Sequence, residues 1–348
     1  MHIYANAVII VLGLLLGFGA TGYLYYSRTG SWNCLPAYFL LSFAIGVFSG
    51  RMLHWYFTSF SYSGGFFQAL VNYSVGSIAM CGVILGPWIA ARLIEANGLC
   101  KNRARLLDCT APGVVLVMFA VRFGAAFNDS CRGKTVSFHL PPISVRVTGA
   151  AGNVSYKFGT FAIEAILLLL ALAAVVLLYF RFGKTKMVKP VSASGNIWRM
   201  MLVLTSCIEF VMDSTRTDSL LMHFRFIHSL NAYSAFISLT EVFSLIMLIY
   251  VFVYYLRRLI AADGFSIKHI VFIVLFLVCA FGMGYLGEYR IQRHGETFRG
   301  YLFMLVSLIA VGAMLFLLYF AATACGRNAG RKAKKSRFGQ FVGLYLNY

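Results

Sequence analysis

Charged residues are scarce in this chain of 348 residues. Only 12% are Asp, Glu, Lys or Arg, whereas a soluble globular domain carries about 25%. Hydrophobic residues make up 60%, so the chain lacks the polar surface that it would need to face water. Lipid is the solvent that suits it, and there only helices or closed barrels satisfy every backbone group. The apolar runs are continuous rather than alternating, which favours helices over a barrel.

Acidic residues are especially few, with 11 Asp and Glu against 30 Lys and Arg. The resulting net charge of +19 is compatible with nucleic-acid binding, but the basic residues stand in short clusters between apolar runs. That arrangement encodes membrane topology, and its partner is anionic lipid. We therefore predict membrane lipid, and not nucleic acid, as a partner.

Several motifs of known enzyme classes are missing. The eight cysteines form no CxxC pair and no metal-binding spacing with histidine. The sequence has no P-loop, no GxSxG elbow and no HExxH helix. Nucleotide, serine-hydrolase and zinc chemistry thus have no support, and we predict neither a metal nor another cofactor.

Long apolar runs predict an all-α polytopic protein. A span needs roughly 20 apolar residues, and the first run, which lacks a basic leader and a cleavage site, is interpreted as a retained span. Within the third run, Gly82 and Gly86 are spaced for close helix packing. The sequence predicts nine spans, near 6–26, 35–57, 66–94, 107–128, 159–181, 198–214, 233–256, 269–289 and 300–324.

The loops between these spans carry an uneven share of Lys and Arg. The larger share falls on one side if the N-terminus is outside and the C-terminus is cytoplasmic, which the positive-inside rule favours. The longest outer connection, 129–158, alternates in the manner of strands around a Gly-rich turn, so a small β element is expected there.

Ionisable residues inside a membrane are costly, so their positions carry information. Those in this chain come from different predicted spans and share a depth near the outer ends. A salt-bridge network with snorkelling arginines is one interpretation, and a site for a charged lipid headgroup is the other, because the arginine fork suits phosphate. The residues concerned are Arg51, His54, Arg122, Glu164, Glu209, Asp213, Arg216 and Glu241.

A family resemblance begins at Arg122. The stretch RFGAAFNDSCRGK, 122–134, resembles the signature R-x-G-N-F-x-N-x-E-x-x-G-R of prolipoprotein diacylglyceryl transferases. The DCTAP run before it, the glycines of the third span, FGTFAIEA at 158–165 and EFVMDSTRTD at 209–218 resemble further family segments in the expected order. The resemblance covers residues 1–258.

The chain also departs from the family pattern. The family's histidine position holds Cys81 or Met80, and the signature's first Asn and its Glu are Ala125 and Ser130. The later essential arginine is Glu209.

The resemblance implies an enzyme that transfers a diacylglyceryl group from phosphatidylglycerol, or another anionic phospholipid, to the lipobox cysteine of a prolipoprotein. It also implies a place in the bacterial cytoplasmic membrane and the signal peptide as a partner. Two alternatives stay open: an inactive paralogue that binds phospholipid or the signal helix, and a transporter. The implied domains are a core, 1–258, two additional spans, 259–325, and a basic cytoplasmic tail, 326–348.

The candidate site residues follow from the resemblance and the depth pattern. Arg122, Glu164 and Asp213 are predicted to be catalytic, with Glu164 either a base or the group that orients Arg122. Headgroup binding is assigned to Arg122, Asn128, Gly133 and Arg216, although Asn128 could instead cap the helix end. His54 is a possible substitute base, whereas Cys81 is interpreted as a small core residue.

Overall fold

The computed structural model describes residues 2–58, 65–71, 78–127, 132–148, 153–183, 195–294 and 297–335. A π-helical segment, Gly282–His294, follows α10 directly. The α-helices are α1 (His2–Thr29), α2 (Leu35–Phe57), α3 (Phe66–Val71), α4 (Cys81–Ala96), α5 (Arg103–Gly124), α6 (Thr160–Gly183), α7 (Asn196–Ser214), α8 (Asn231–Ser234), α9 (Leu239–Asp263), α10 (Ile267–Phe281) and α11 (Thr297–Lys335).

Seven of the described helices are long and apolar enough to cross a membrane: α1, α2, α5, α6, α9, α10 with the π-helical segment, and α11. They confirm the predicted all-α polytopic class. Helices α4 and α7 lie at two further predicted spans. Helix α4 has 16 residues, which is about 24 Å and shorter than the hydrocarbon core, while α7 carries several charged side chains. The count of nine spans stays a prediction.

The predicted span 66–94 requires a correction, because it is not one helix. Helix α3 ends at Val71 and α4 begins only at Cys81. Between them the backbone N–H of Ala79 donates a hydrogen bond to the carbonyl of Gly50, at 3.0 Å. Backbone that pairs with α2 in this way cannot also continue a helical ladder.

The chain divides into two compact units within α9. The first unit contains α1 to α8 and the start of α9, as far as Ser244. The second contains α9 from Leu245, α10, the π-helical segment and α11, and it includes a stacked pair of rings, Phe252 and Phe276. The predicted domain boundaries at 258 and 325 stay predictions, and residues 336–348 of the predicted tail lie outside the described residues.

A small antiparallel sheet lies in the connection between α5 and α6. Its strands are β1 (Thr135–Val136), β2 (Ser144–Thr148) and β3 (Val154–Phe158), in the order β1-β3-β2. Tyr156 of β3 is paired with Val136 on one side and Arg146 on the other. Because β3 ends at Phe158, two residues before α6, it fixes where α6 begins.

Helix α5 is the most buried of these seven helices. In its most apolar stretch 78% of the residues are buried, whereas the figure is 50% or less in the other six. Glycines allow neighbouring backbones to approach closely. Gly17 of α1 faces Gly113 of α5, and Gly46 of α2 faces Gly82 and Gly86 of α4. The spacing of Gly82 and Gly86 in the sequence therefore has the packing role that it predicted.

Helices α5 and α7 run parallel and are joined near their N-terminal ends by Asp108. Its two carboxylate oxygens accept hydrogen bonds from the backbone N–H groups of Gly195, at 2.7 Å, and Trp198, at 3.0 Å. Asp108 of α5 thus caps the first turn of α7, whose N–H groups lack partners within the helix. This bond sets the distance between the two helices that carry much of the site described below.

Substitution of Gly82 by alanine tests this packing. A Cβ there would strike the carbonyl oxygen of Gly46 and the backbone of Gly50, and overpacking of this kind costs about 1–3 kcal/mol. We expect Gly82→Ala to lower the thermal midpoint of the detergent-purified protein. Gly19→Ala, where a Cβ meets nothing within 4 Å, is the matched control, and an equal loss in both would contradict the packing role.

Candidate active site

Arg122 lies in the last turn of α5, and its side chain is only 4% exposed. Its Nε donates a hydrogen bond to Oε1 of Glu164 at 2.5 Å, and its Nη2 donates to Oε2 of Glu209 at 2.7 Å. Glu164 belongs to α6 and Glu209 to α7. One buried guanidinium therefore joins three helices, as the shared depth of these ions in the sequence predicted for Arg122 and Glu164.

Glu164 stands in the second turn of α6 and is fully buried. The start of α6 is anchored to the end of α7, because the hydroxyl groups of Thr160 and Thr215 are hydrogen-bonded at 2.8 Å. Strand β3 leads directly into this turn. These contacts fix the start of α6 and thereby the position of Glu164 relative to Arg122.

Gly133 closes the signature segment, and its backbone is part of this anchor. Its N–H donates to the carbonyl of Phe158 at 2.8 Å, and it forms an isolated antiparallel bridge with Arg216. A Cβ at Gly133 would strike Phe158 and Thr160. The structure therefore gives Gly133 a close-packing role, and its predicted contact with a headgroup stays a prediction.

Asp213 and Arg216 form a second ion pair one turn beyond Glu209. Nη1 of Arg216 lies 3.2 Å from Oδ1 of Asp213, and its Nε lies 3.0 Å from Oδ1 of Asp218. The side chain of Asp213 is 1% exposed and that of Arg216 is 13% exposed. Arg216 is thus the arginine of the site that reaches closest to the surface.

The remaining predicted residues have different outcomes. Asn128 lies outside the described residues. His54 lies on α2, one turn after Arg51, and both residues are buried. The ion pairs of Arg122 given above lead to α6 and α7 rather than to α2, so the role of His54 as a base stays a prediction.

An apolar cavity of about 740 Å³ lies between α1, α2, α4 and α5. Its wall is mostly aliphatic and aromatic, with Thr21, Tyr38, Ser42 and Thr110 as polar positions. Arg51, 1% exposed, lines it near the segment Ile78–Met80, and Val121, the neighbour of Arg122, also belongs to the wall. Such a cavity suits an apolar chain that ends in an anionic group.

A second, much smaller cavity of about 10 Å³ lies beside α4 and α7. It is lined by Glu209, Cys81 and several hydroxyl side chains, and Met80 borders both this cavity and the large one. Among the described residues, no three His, Cys, Asp or Glu side chains are grouped to hold a metal ion. The site thus combines buried ions, an apolar chamber and Met80, which lines both cavities.

Comparison with known proteins identifies the family of this chain. The sequence profile of the family described as prolipoprotein diacylglyceryl transferase matches residues 1–257. The chain belongs to the prolipoprotein diacylglyceryl transferase family. No solved structure matches it.

Curated relatives agree with this family at low identity. All three of the following are named phosphatidylglycerol--prolipoprotein diacylglyceryl transferase. The protein of Clostridium novyi is 25% identical over 223 residues, 62% of this chain and 80% of that protein. The protein of Acaryochloris marina is 30% identical over 42% of this chain and 52% of its own length. That of Lactococcus lactis subsp. cremoris is 28% identical over 53% and 67%.

Glu209 was expected among the ions of shared depth but was given no role in the site. It stands where the transferase family's second arginine is expected, which made it a departure from the family pattern. In the structure it binds Arg122 directly. The available signal was its spacing: Glu209 and Asp213 lie at i and i+4, on one face of α7.

Arg122→Gln tests the cluster. The change leaves Glu164 and Glu209 buried without their guanidinium, and breaking a buried ion pair costs about 3–5 kcal/mol. We expect a large fall in the thermal midpoint of the purified protein. Arg216→Gln, which removes a more exposed guanidinium, should cause a smaller fall, and equal falls would contradict the central position of Arg122.

Proposed function

We propose that this chain transfers a diacylglyceryl group from phosphatidylglycerol, or another anionic phospholipid, to the lipobox cysteine of a prolipoprotein. The observation that carries this proposal is the buried cluster around Arg122. It is built from segments that match the family in order, and it lies beside an apolar chamber. Relatives named for this reaction, cited above, support it.

The large cavity accounts for the lipid. Its volume of about 740 Å³ lies within the usual range of ligand pockets, roughly 300–1,000 Å³. The aliphatic wall receives an acyl chain, and Arg51 places a positive charge near the segment that leads into α4. An anionic phospholipid satisfies both features at once.

The reaction needs cations where the phosphate leaves and a base where the cysteine thiolate forms. Arg122 and Arg216 are the cations that we assign to the phosphate. Arg216 is the more accessible of the two, since its side chain is 13% exposed and that of Arg122 is 4% exposed. Glu164 and Asp213 hold these guanidinium groups in place, which pre-organises the charge before the substrate arrives.

The alternatives make different demands on the molecule. An inactive paralogue needs only the lipid cavity and no base. A transporter is expected to have paired broken helices and a charge cluster at the membrane midplane, whereas the ionic residues here gather at the helix ends that carry Arg122. We therefore place transfer first.

Complementation tests the proposed reaction. We expect the wild-type gene to rescue growth of a bacterial strain depleted of its own transferase, and Arg122→Ala and Glu164→Gln to abolish rescue. In parallel, purified protein should move labelled diacylglyceryl from phosphatidylglycerol to a synthetic lipobox peptide. A lipobox peptide with serine in place of the cysteine is the substrate control.

Two outcomes would overturn this assignment. Rescue that survives both substitutions would remove the site. Failure of the wild-type chain in both assays, with lipid still bound to the purified protein, would favour the inactive paralogue. Immunoblots of the membrane fraction must show equal amounts of each variant.

We further propose that the reaction takes place at the outer leaflet of the cytoplasmic membrane, with the N-terminus outside and the C-terminus inside. Loop charge supports this orientation. A green fluorescent protein fused after Tyr348 should fluoresce, and alkaline phosphatase fused there should be inactive. Alkaline phosphatase inserted at 149–152 should be active, and the reverse pattern would contradict the orientation.

A further inference from the structure

Two carboxylates share one guanidinium in the described structure. Nε and Nη2 of an arginine present parallel N–H bonds on the same edge of the fork. Glu164 accepts from Nε and Glu209 accepts from Nη2, so the two carboxylates lie side by side. Both side chains are at most 5% exposed, which removes the water that would otherwise screen them.

Among the described residues, two glutamates share one arginine. Helix α5 supplies Arg122 and the segment after α7 supplies Arg216, whereas α6 and α7 supply Glu164, Glu209 and Asp213. Arg216 is paired with Asp213, and the described ion pairs of both glutamates lead to Arg122. Two like charges at one buried site favour binding of a proton by one of them.

The unpaired oxygens point to the same conclusion. Oε2 of Glu164 and Oε1 of Glu209 are buried, and neither accepts a hydrogen bond from any residue that the structure describes. A buried acceptor without a donor is costly. One proton held between the two carboxyl groups supplies the missing donor, while Arg122 binds the other oxygen of each.

We propose that Glu164 and Glu209 share one proton and together act as the base of the transfer, an inference that rests on the function proposed above. Cys81 and Met80, which stand at the family's histidine position, line the small cavity together with Glu209. Met80 lines the lipid chamber as well. An unbranched methionine adapts its shape readily, so the side chain of Met80 can move aside for an incoming thiol.

The cysteine sulfur forms a bond to the terminal glyceryl carbon of the lipid, and the bond between that carbon and the phosphate oxygen breaks. The bonding electrons leave with the phosphate, and the thiol proton goes to the carboxylate pair, which then holds two protons. One of them passes to the departing glycerol phosphate, and the pair returns to its single shared proton.

Infrared spectroscopy of the purified protein tests the shared proton without any need for activity. At neutral pH we expect a protonated-carboxyl stretch that shifts in D₂O. Glu164→Gln and Glu209→Gln should each remove it, because each leaves a single carboxyl group bound by Arg122 and no second carboxyl group to share a proton with. Glu95→Gln, which changes a glutamate whose side chain is 40% exposed and paired with Arg103, is the control that should leave the band unchanged.

The base role is tested by kinetics of the full-length enzyme. General-base catalysis contributes about 10²–10⁴-fold, so Glu209→Gln should lower kcat by that factor with a much smaller change in KM, and Glu209→Asp should recover part of it. Glutamine still accepts a hydrogen bond from Arg122, so a merely structural role predicts little loss in this variant.

The two arms separate the possible failures. A missing band, or a band that survives either glutamine substitution, would overturn the shared proton. A band that behaves as expected alongside unchanged kcat in Glu209→Gln would overturn the base role alone. If the wild-type protein shows the band but transfers no lipid, the proposed function fails together with the base role, and the carboxylate pair stands.

Discussion

The buried guanidinium of Arg122 is the interaction on which the rest of the site depends. It is the place where α5, α6 and α7 meet, and each helix contributes one ion to it. Ions removed from water are tolerated only when partners replace the lost hydration. The position of each helix end is therefore constrained by its neighbours, and the sheet, the Thr160–Thr215 bond and the Gly133 contact all serve to hold these ends together.

Much of this could be predicted from the sequence, because charge in a membrane is conspicuous. The long apolar runs indicated the helices, and the motif at 122–134 located Arg122. The shared depth of Arg122 and Glu164 predicted that these two residues lie close together. The break between α3 and α4 could not be predicted, since it depends on a backbone hydrogen bond between Ala79 and Gly50, which residue composition does not encode.

Glu209 shows why comparison with a motif can mislead. The family pattern has an arginine at this position, so the opposite charge of Glu209 suggested a lost function. Its actual partner became visible only when the helices were placed together, because a residue 87 positions away supplies the opposite charge. A substitution that reverses a charge changes the partners of every ion around it, and the chemistry must then be read from the new pairs.

The parallel pair α5 and α7 is fastened at two levels, by Asp108 near one end and by Arg122 with Glu209 near the other. Because these two contacts lie at different levels, they restrict both the separation of the two helices and the angle between them. The opposite wall of the lipid cavity is formed by α1 and α2, whose Gly17 and Gly46 pack against the backbones of α5 and α4. A lipid that widens the cavity would therefore displace these glycine contacts rather than the ion pairs between α5 and α7.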